Sequence, residues 1–186
     1  MAFFPASLTL PDDVTINTYS PQCLGTLATY EALAGPASAN WPTANQVYFV
    51  PFRMAASAIV TKMFWGNGAA VAGNYDAGIY DLDGNLLVST GSQAQVTTTS
   101  TQVTDVTDTA LKRGVYYMAL VGDTAGTTSR IHSAAVNAIF GQSWGMLSQS
   151  GVALPLATNC NPATFAKFIG TVYPLFGFQT RRAVGP

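Results

Sequence analysis

Apolar and polar residues alternate along most of the chain from residue 46 onward, as is typical of β-strands. The side chains that share one face of residues 47–54 are Tyr48, Val50, Phe52 and Met54. Because proline cannot donate a ladder hydrogen bond, Pro51 within this run predicts an edge strand or a bulge.

The next run, residues 58–65, is apolar on both faces, which predicts a strand that is covered twice. Simple alternation puts Val60 and Phe64 on one face. The same count puts Ile59, Met63 and Trp65 on the other face. Since Trp65 lies inside a strand pattern, we expect it to pack in the core.

Turn residues divide the following segment into a hairpin and further strands. Residues 74–81 and 86–88 flank an Asp-Leu-Asp-Gly-Asn turn, which predicts two paired strands. Residues 115–121 have the strongest strand pattern in the chain, with Tyr116, Met118 and Leu120 on one face. Residues 171–180 predict a closing strand with Phe176 and Phe178 on one face.

The remaining segments allow more than one interpretation. The Thr-rich residues 92–109 favour one or two solvent-facing strands, with a flexible loop as the alternative. A strand is expected near residues 136–140, and residues 141–169 form a long connection in which 162–169 is a candidate short helix. About eight short strands without long amphipathic helices predict an all-β, antiparallel, jelly-roll-like sandwich at residues 46–186.

Residues 1–45 are interrupted by five prolines and predict an irregular N-terminal arm. One helical turn fits residues 25–33. The arm is too apolar to remain free in water, so we expect it either to contact another chain or to pack on its own sandwich. The candidate assembly contacts are Phe3, Phe4, Leu8, Leu10 and Tyr19.

Composition narrows the classes of partner. Charged residues are 9% of the chain and the net charge is -1, against roughly 25% charged residues in ordinary soluble domains. A surface this poor in charge favours association with other copies, so we expect a homo-oligomer. Nucleic acid is excluded as a partner because basic residues are few and scattered. Membrane insertion is excluded because no long apolar run occurs.

The order of several motifs resembles that of jelly-roll-like accessory proteins in tailed-phage virions. The motifs are Asn45-Gln46-Val47-Tyr48-Phe49-Val50-Pro51-Phe52-Arg53, Gly78-Ile79-Tyr80-Asp81, Leu111-Lys112-Arg113-Gly114-Val115-Tyr116-Tyr117-Met118-Ala119-Leu120 and Pro174-Leu175-Phe176-Gly177-Phe178. The resemblance covers about two thirds of the chain and includes capsid decoration proteins and tail-fibre heads. It implies a structural role in a virion and brings no catalytic motif.

No catalytic or metal site emerges from the residue types. His132 is the sole histidine and has no Gly-x-Ser-x-Gly motif to accompany it. Asp81, Asp83 and Asn85 alternate as calcium ligands do, but Gly84 falls at the fourth position of a calcium loop rather than the sixth, and no Glu follows at the twelfth. A hairpin turn is therefore preferred. Two cysteines, Cys23 and Cys160, leave zinc short of ligands, and the sequence does not show whether they pair. We expect no cofactor.

The expected function is that of a non-enzymatic structural protein of a phage virion, with capsid decoration against neighbouring subunits as the first choice. The alternative is a tail-fibre or tail-tip adhesin that binds a host glycan or receptor. Trp41 and Trp144 lie in loop-like sequence and are the candidate partner or glycan contacts. Residues 1–5 lack a basic, then apolar, secretory pattern, so we expect synthesis in the host cytoplasm and a final location in the virion.

Overall fold

The protein is an antiparallel β-sandwich. The computed structural model describes residues 13–17, 37–40, 43–124, 128–131, 145–168 and 174–182. The strands are β1 (Asp13–Asn17), β2 (Ala37–Asn40), β3 (Val47–Met54), β4 (Ala58–Gly66), β5 (Asn74–Tyr80), β6 (Leu86–Ser89), β7 (Gln93–Ala94), β8 (Thr101–Leu111), β9 (Gly114–Gly122), β10 (Thr128–Ile131), β11 (Leu147–Gln149), β12 (Ala166–Lys167) and β13 (Phe176–Arg182). A 3-10 turn at Pro162–Thr164 is the helical element of these residues.

Two sheets form the layers of the sandwich. The first, sheet A, has the strand order β1-β13-β4-β8. The second, sheet B, has the order β12-β11-β3-β9-β5-β6, and β7 also pairs with β5. Strands β2 and β10 form a separate two-stranded sheet. All of these pairings are antiparallel, which confirms the predicted fold class.

The core lies between sheets A and B, where the inner faces of the strands meet. On β3 the inner residues are those that alternation predicted, and Phe52 contacts Phe178 of β13 with ring centroids 5.1 Å apart. Trp65 is fully buried and stacks on Tyr75 of β5, with ring centroids 5.8 Å apart. The core role expected for Trp65 is therefore confirmed.

A bulge in β4 corrects the predicted faces of that strand. Gln179 and Thr180 of β13 are adjacent, but they pair with Lys62 and Val60, so Thr61 is an extra residue. The extra residue reverses the alternation, which turns Val60 inward together with Met63 and Trp65. The prediction that placed Val60 with Phe64, and opposite Met63 and Trp65, was wrong for this reason.

The same irregularity widens in β8, the neighbour of β4. Val60 pairs with Thr109 and Lys62 pairs with Asp105, so residues 106–108 face Thr61 alone. Val106 packs against the core while Thr107 and Asp108 are exposed. The middle of this edge strand is therefore bulged.

Residues 150–165 cover part of the outer face of sheet B. Phe165 stacks on Phe49 with ring centroids 4.0 Å apart, and Leu156 is buried against the same apolar cluster. Because both faces of this sheet are covered, the strands β3, β5 and β9 carry apolar residues on both sides. We call residues 150–165 the covering segment.

Several segment predictions have clear outcomes. The hairpin β5–β6, the strand β9 and the closing strand β13 are confirmed. Among the described residues, strand β3 has neighbours on both sides only at Tyr48 and Phe49, and Pro51 pairs with β9 alone. The candidate helix at 162–169 is limited to a 3-10 turn.

Two strands occupy parts of the predicted irregular arm. Strand β1 pairs with β13 at the edge of sheet A, and β2 pairs with β10. The arm is thus regular at these residues. The expected strand at 136–140 and the helical turn at 25–33 lie outside the described residues.

Candidate functional site

One side of the sandwich carries no charged residue over a long stretch. Residues 84–104 contain no Asp, Glu, Lys, Arg or His. They form β6, β7 and the beginning of β8. Strand β6 is at the end of sheet B and approaches β8 at the end of sheet A, so both strands close the same side of the sandwich. We call residues 84–104 the neutral side.

Among the described residues, the exposed large apolar side chains lie in or near residues 84–104 of the sequence. They are Leu82 (53% exposed), Leu87 (37%), Val96 (52%) and Val103 (48%). The exposure of Leu87 has a local cause: Ile79 pairs with Val88 and Tyr80 with Leu86, so Leu87 is a bulge residue. Three of the four belong to the neutral side itself, which makes it the candidate contact surface.

The loop between β7 and β8 is held in a sparsely populated backbone conformation. Thr97 has a φ of 63°, and Thr99 has a φ of 56°. For β-branched residues this left-handed region costs about 1–2 kcal/mol each. The surrounding hydrogen bonds therefore determine the shape of this loop.

Asn67 is the residue that fixes the loop from beneath. Its fully buried amide nitrogen donates to the backbone oxygen of Val96 at 2.7 Å, and it lies 3.1 Å from Oε1 of Gln102. Its Oδ1 accepts a hydrogen bond from the indole Nε1–H of Trp65. The backbone N–H of Asn67 donates to Ser100 at 2.8 Å. The outward residues of the loop are thus presented on a rigid frame.

The motif Gly66-Asn67-Gly68 fits a turn, and the sequence alone does not reveal the buried role of Asn67. The one signal available was a hydrogen-bonding side chain between two glycines directly after an apolar strand. That pattern describes an exposed turn equally well. Only the approach of the β7–β8 loop shows that Asn67 is buried.

Charge returns where the neutral side ends. Asp105 lies 3.3 Å from Nζ of Lys62 on the neighbouring strand. Asp108, in the bulge, forms an ion pair with Arg181 of β13. Both pairs are solvent-exposed, so each contributes little to stability. The charged residues of β8 are thus Asp105 and Asp108, and residues 101–104 carry no charge.

A buried carboxylate ties the covering segment to sheet B. Asp76 is fully buried, and its Oδ2 accepts from the backbone N–H of Leu156 at 2.8 Å. Its Oδ1 lies 3.0 Å from Oγ1 of Thr90, which also accepts from the N–H of Ala77. Burial raises the pKa of Asp76 above its ordinary value, against the opposing effect of these hydrogen bonds.

The aspartates of the β5–β6 turn serve the turn itself. Oδ1 of Asp81 accepts from the backbone N–H groups of Asp83 at 3.0 Å and Asn85 at 2.8 Å. Burial acts to raise the pKa of Asp81, but the amide of Asn85, which donates to Oδ2 at 2.8 Å, and these backbone bonds hold it below its ordinary value. Within the part of the chain that the structure describes, no group of three His, Cys, Asp or Glu residues could hold a metal ion.

Cys160 lies in the covering segment as a half-buried free thiol. Burial, followed by the charge of Asp81, raises its pKa to about 11. A thiol with this pKa is largely protonated at neutral pH and is therefore a poor nucleophile. Cys23, its candidate disulfide partner, lies outside the described residues.

The residues singled out from sequence as contacts lie outside the described part of the chain. They are Trp41, Trp144, Phe3, Phe4, Leu8, Leu10 and Tyr19. His132 also lies outside it. In the described residues, no helix is long and apolar enough to cross a membrane. The contact roles of the seven residues stay predictions.

No protein-family model, curated protein or solved structure matches the chain.

Proposed function

We propose that this chain is a non-enzymatic structural protein of a phage virion, which packs against neighbouring subunits as capsid decoration. The neutral side is the feature that supports a role in contact with other subunits. Leu87, Val96 and Val103 are exposed in it, and residues 84–104 include no charged residue. Exposed apolar surface bounded by polar residues is typical of protein contact sites.

The described acidic groups support a structural role. Asp76 holds the covering segment, and Asp81 closes a turn. Asp123 accepts from the backbone N–H of Asn74 at 2.8 Å and from its amide at 3.0 Å. Each of these carboxylates is used in holding backbone in place rather than directed together into a cleft.

The choice of a phage particle rests on the sequence motifs described above. The proposal includes synthesis in the host cytoplasm and a final location in the virion. A tail-fibre or tail-tip adhesin is the alternative. Glycan binding commonly uses stacked aromatic rings, and the neutral side contains no Trp, Tyr or Phe. The neutral side thus favours a protein partner.

Labelling of assembled particles tests this proposal. An affinity-tagged chain would be expressed in infected cells, and purified particles would be imaged with a tag-specific gold label. We expect label on the capsid shell. Label confined to the tail would favour the adhesin, and particles that lack the chain would contradict a virion role. Particles from cells that express the untagged chain, carried through the same labelling, serve as the control for nonspecific binding of gold.

A further inference from the structure

Most strands at the ends of sheets A and B are protected against pairing with another chain. Strand β6 has four residues and a bulge at Leu87. Strand β12 has two residues, one of which is Lys167. Strand β1 begins at Asp13. Short length, bulges and charge are the devices by which natural sheets avoid edge-to-edge association.

Strand β8 is protected over only part of its length. It has eleven residues, the most of the described strands. Its second half carries the 106–108 bulge, with Asp105 and Asp108 at either end of the bulged region. Residues 101–104 have neither charge nor bulge, and among the described residues they pair only with β4. We call residues 101–104 the open segment.

We propose that the open segment pairs, antiparallel, with the open segment of a second copy of this chain, about a twofold axis at Val103. This inference deepens the proposed function, because it identifies one neighbouring subunit and the strand that meets it. The two copies of sheet A would then form one continuous sheet.

The positions of the acidic residues favour this register over registers centred nearer to Asp105. With Val103 opposite Val103, Asp105 faces Thr101 of the second copy, and Gln102 faces Thr104. The two Asp105 residues are then separated by about four residue spacings, or ~13 Å, beyond the ~10 Å screening length. A register centred on Asp105 would instead oppose two carboxylates, which is destabilising.

The surface chemistry favours a second copy over other partners. Val103 pairs with Phe64 across the β4–β8 ladder, so it points to the outer face of sheet A, where it is 48% exposed. Twofold pairing would bury Val103 against its own counterpart. A strand that pairs with the open segment should itself be uncharged. The open segment of a second copy meets this requirement, in a chain with 9% charged residues. Main-chain hydrogen bonds along the edge would provide affinity without aromatic anchors.

A pair of matched lysine substitutions tests the proposal in the full-length chain. Val103→Lys places two like charges at the axis, whereas Thr107→Lys adds the same charge in the exposed bulge of the same strand. In sedimentation velocity over a concentration series, we expect Val103→Lys to raise the dissociation constant by about tenfold or more. Thr107→Lys should change it by less than about twofold. A monomeric parent chain, or equal effects of the two variants, would overturn the proposal.

Crosslinking keeps the test independent of any folding defect in Val103→Lys. In a Cys23→Ser/Cys160→Ser background, Val103→Cys would place two thiols directly opposite each other, within the distance that a disulfide spans. We expect covalent dimers to form at least about tenfold faster than with Thr107→Cys under mild oxidation. Equal rates would rule out the register centred on Val103.

The two proposals fail in distinguishable ways. If the cysteine variants show no preferential crosslinking while the gold label is on the capsid shell, the virion role stands and the pairing does not. If Val103→Cys crosslinks but purified particles lack the chain, the pairing stands and the virion role fails.

Discussion

Two buried polar residues, Asn67 and Asp76, hold elements together in this core, as apolar residues do elsewhere in it. Each joins segments that are distant in sequence, because each side chain bonds to backbone groups of another element. A buried polar group without partners costs free energy, so such residues specify which loop must sit against them. Substitution of either residue should therefore lower the free energy of unfolding more than the substitution of an exposed polar residue does.

Asn67→Ala is expected to lower the free energy of unfolding by about 3 kcal/mol. The substitution removes the donors to Val96 and Gln102 and the acceptor used by Trp65. Urea unfolding followed by tryptophan fluorescence measures the change. Thr98→Ala, at an exposed position of the same loop, should change stability by less than about 0.5 kcal/mol. Comparable losses in both variants would mean that Asn67 does not anchor the loop.

Asp76 should make stability depend on pH in an unusual direction for a carboxylate. Because burial raises its folded-state pKa above the ordinary 3.8, the folded state binds more protons than the unfolded state between these two values. The contribution of Asp76 to the free energy of unfolding is then fully present below pH 3.8. It falls as the pH rises from there through the folded-state pKa.

Asp76→Asn is expected to remove that slope. In the variant, Oδ1 of the asparagine can accept from the N–H of Leu156, and its amide can donate to Oγ1 of Thr90. The hydroxyl of Thr90 can then donate to the backbone oxygen of Gly91, which lies 3.0 Å away. At neutral pH the variant should be within about 1 kcal/mol of the parent or more stable, whereas Asp76→Ala should lose about 2–3 kcal/mol. Urea titrations at several pH values check both. A parent and an Asn variant with the same pH dependence would contradict the assignment to Asp76.

Among the elements, the covering segment depends on its contact with the β5–β6 turn. The N–H of Cys160 donates to the carbonyl of Gly84 at 2.8 Å, and the N–H of Leu86 donates to Thr158 at 2.9 Å. Gly84 has a φ of 87°, and a Cβ at this position would overlap the carbonyl oxygen of Cys160. The turn thus approaches the segment too closely for any side chain at Gly84.

Gly84→Ala should destabilise the protein by about 2 kcal/mol more than Gly91→Ala. Gly91 also has a positive φ, 64°, but a Cβ there meets no atom within 4 Å. The pair of variants therefore separates the backbone penalty, common to both, from the contact with Cys160. Thermal unfolding of the two variants measures the difference. Equal effects would show that the segment moves away at no cost.

Strand identity was predictable wherever alternation was uninterrupted. Strand β9 is such a case, since Tyr116, Met118 and Leu120 follow a strict period of two. The faces of β4 were not predictable, because Thr61 suits a regular strand as well as a bulge. The Thr-rich stretch was predicted to form solvent-facing strands or a flexible loop, but its proximity to β6 depends on how the two sheets face each other. That relation joins residues far apart in sequence, and local patterns do not encode it.

At the scale of the whole molecule, the N-terminal residues divide into two groups with different expected roles. Strand β1 belongs to sheet A through its pairing with β13. The predicted assembly contacts Phe3, Phe4, Leu8 and Leu10 precede it in the sequence. Assembly and folding should therefore respond to different deletions.

Deletion of residues 1–12 is expected to change the free energy of unfolding by less than about 1 kcal/mol and to reduce incorporation into particles. Deletion of residues 1–17 also removes β1 and should cost about 2 kcal/mol or more. Unfolding curves and quantitative immunoblots of purified particles measure the two effects. Full incorporation after the shorter deletion would contradict an assembly role for those four residues.

The place of β13 between β1 and β4 has a consequence for synthesis on the ribosome. Its partners, residues 13–17 and 58–66, are translated long before residues 176–182 emerge. Until then, β1 has no neighbour in sheet A, and one edge of β4 is without its ladder. Pairings of such high sequence separation close large loops and slow folding. The nascent chain therefore cannot complete sheet A until β13 emerges. A chaperone that shields β4 during that interval would raise the yield of folded protein.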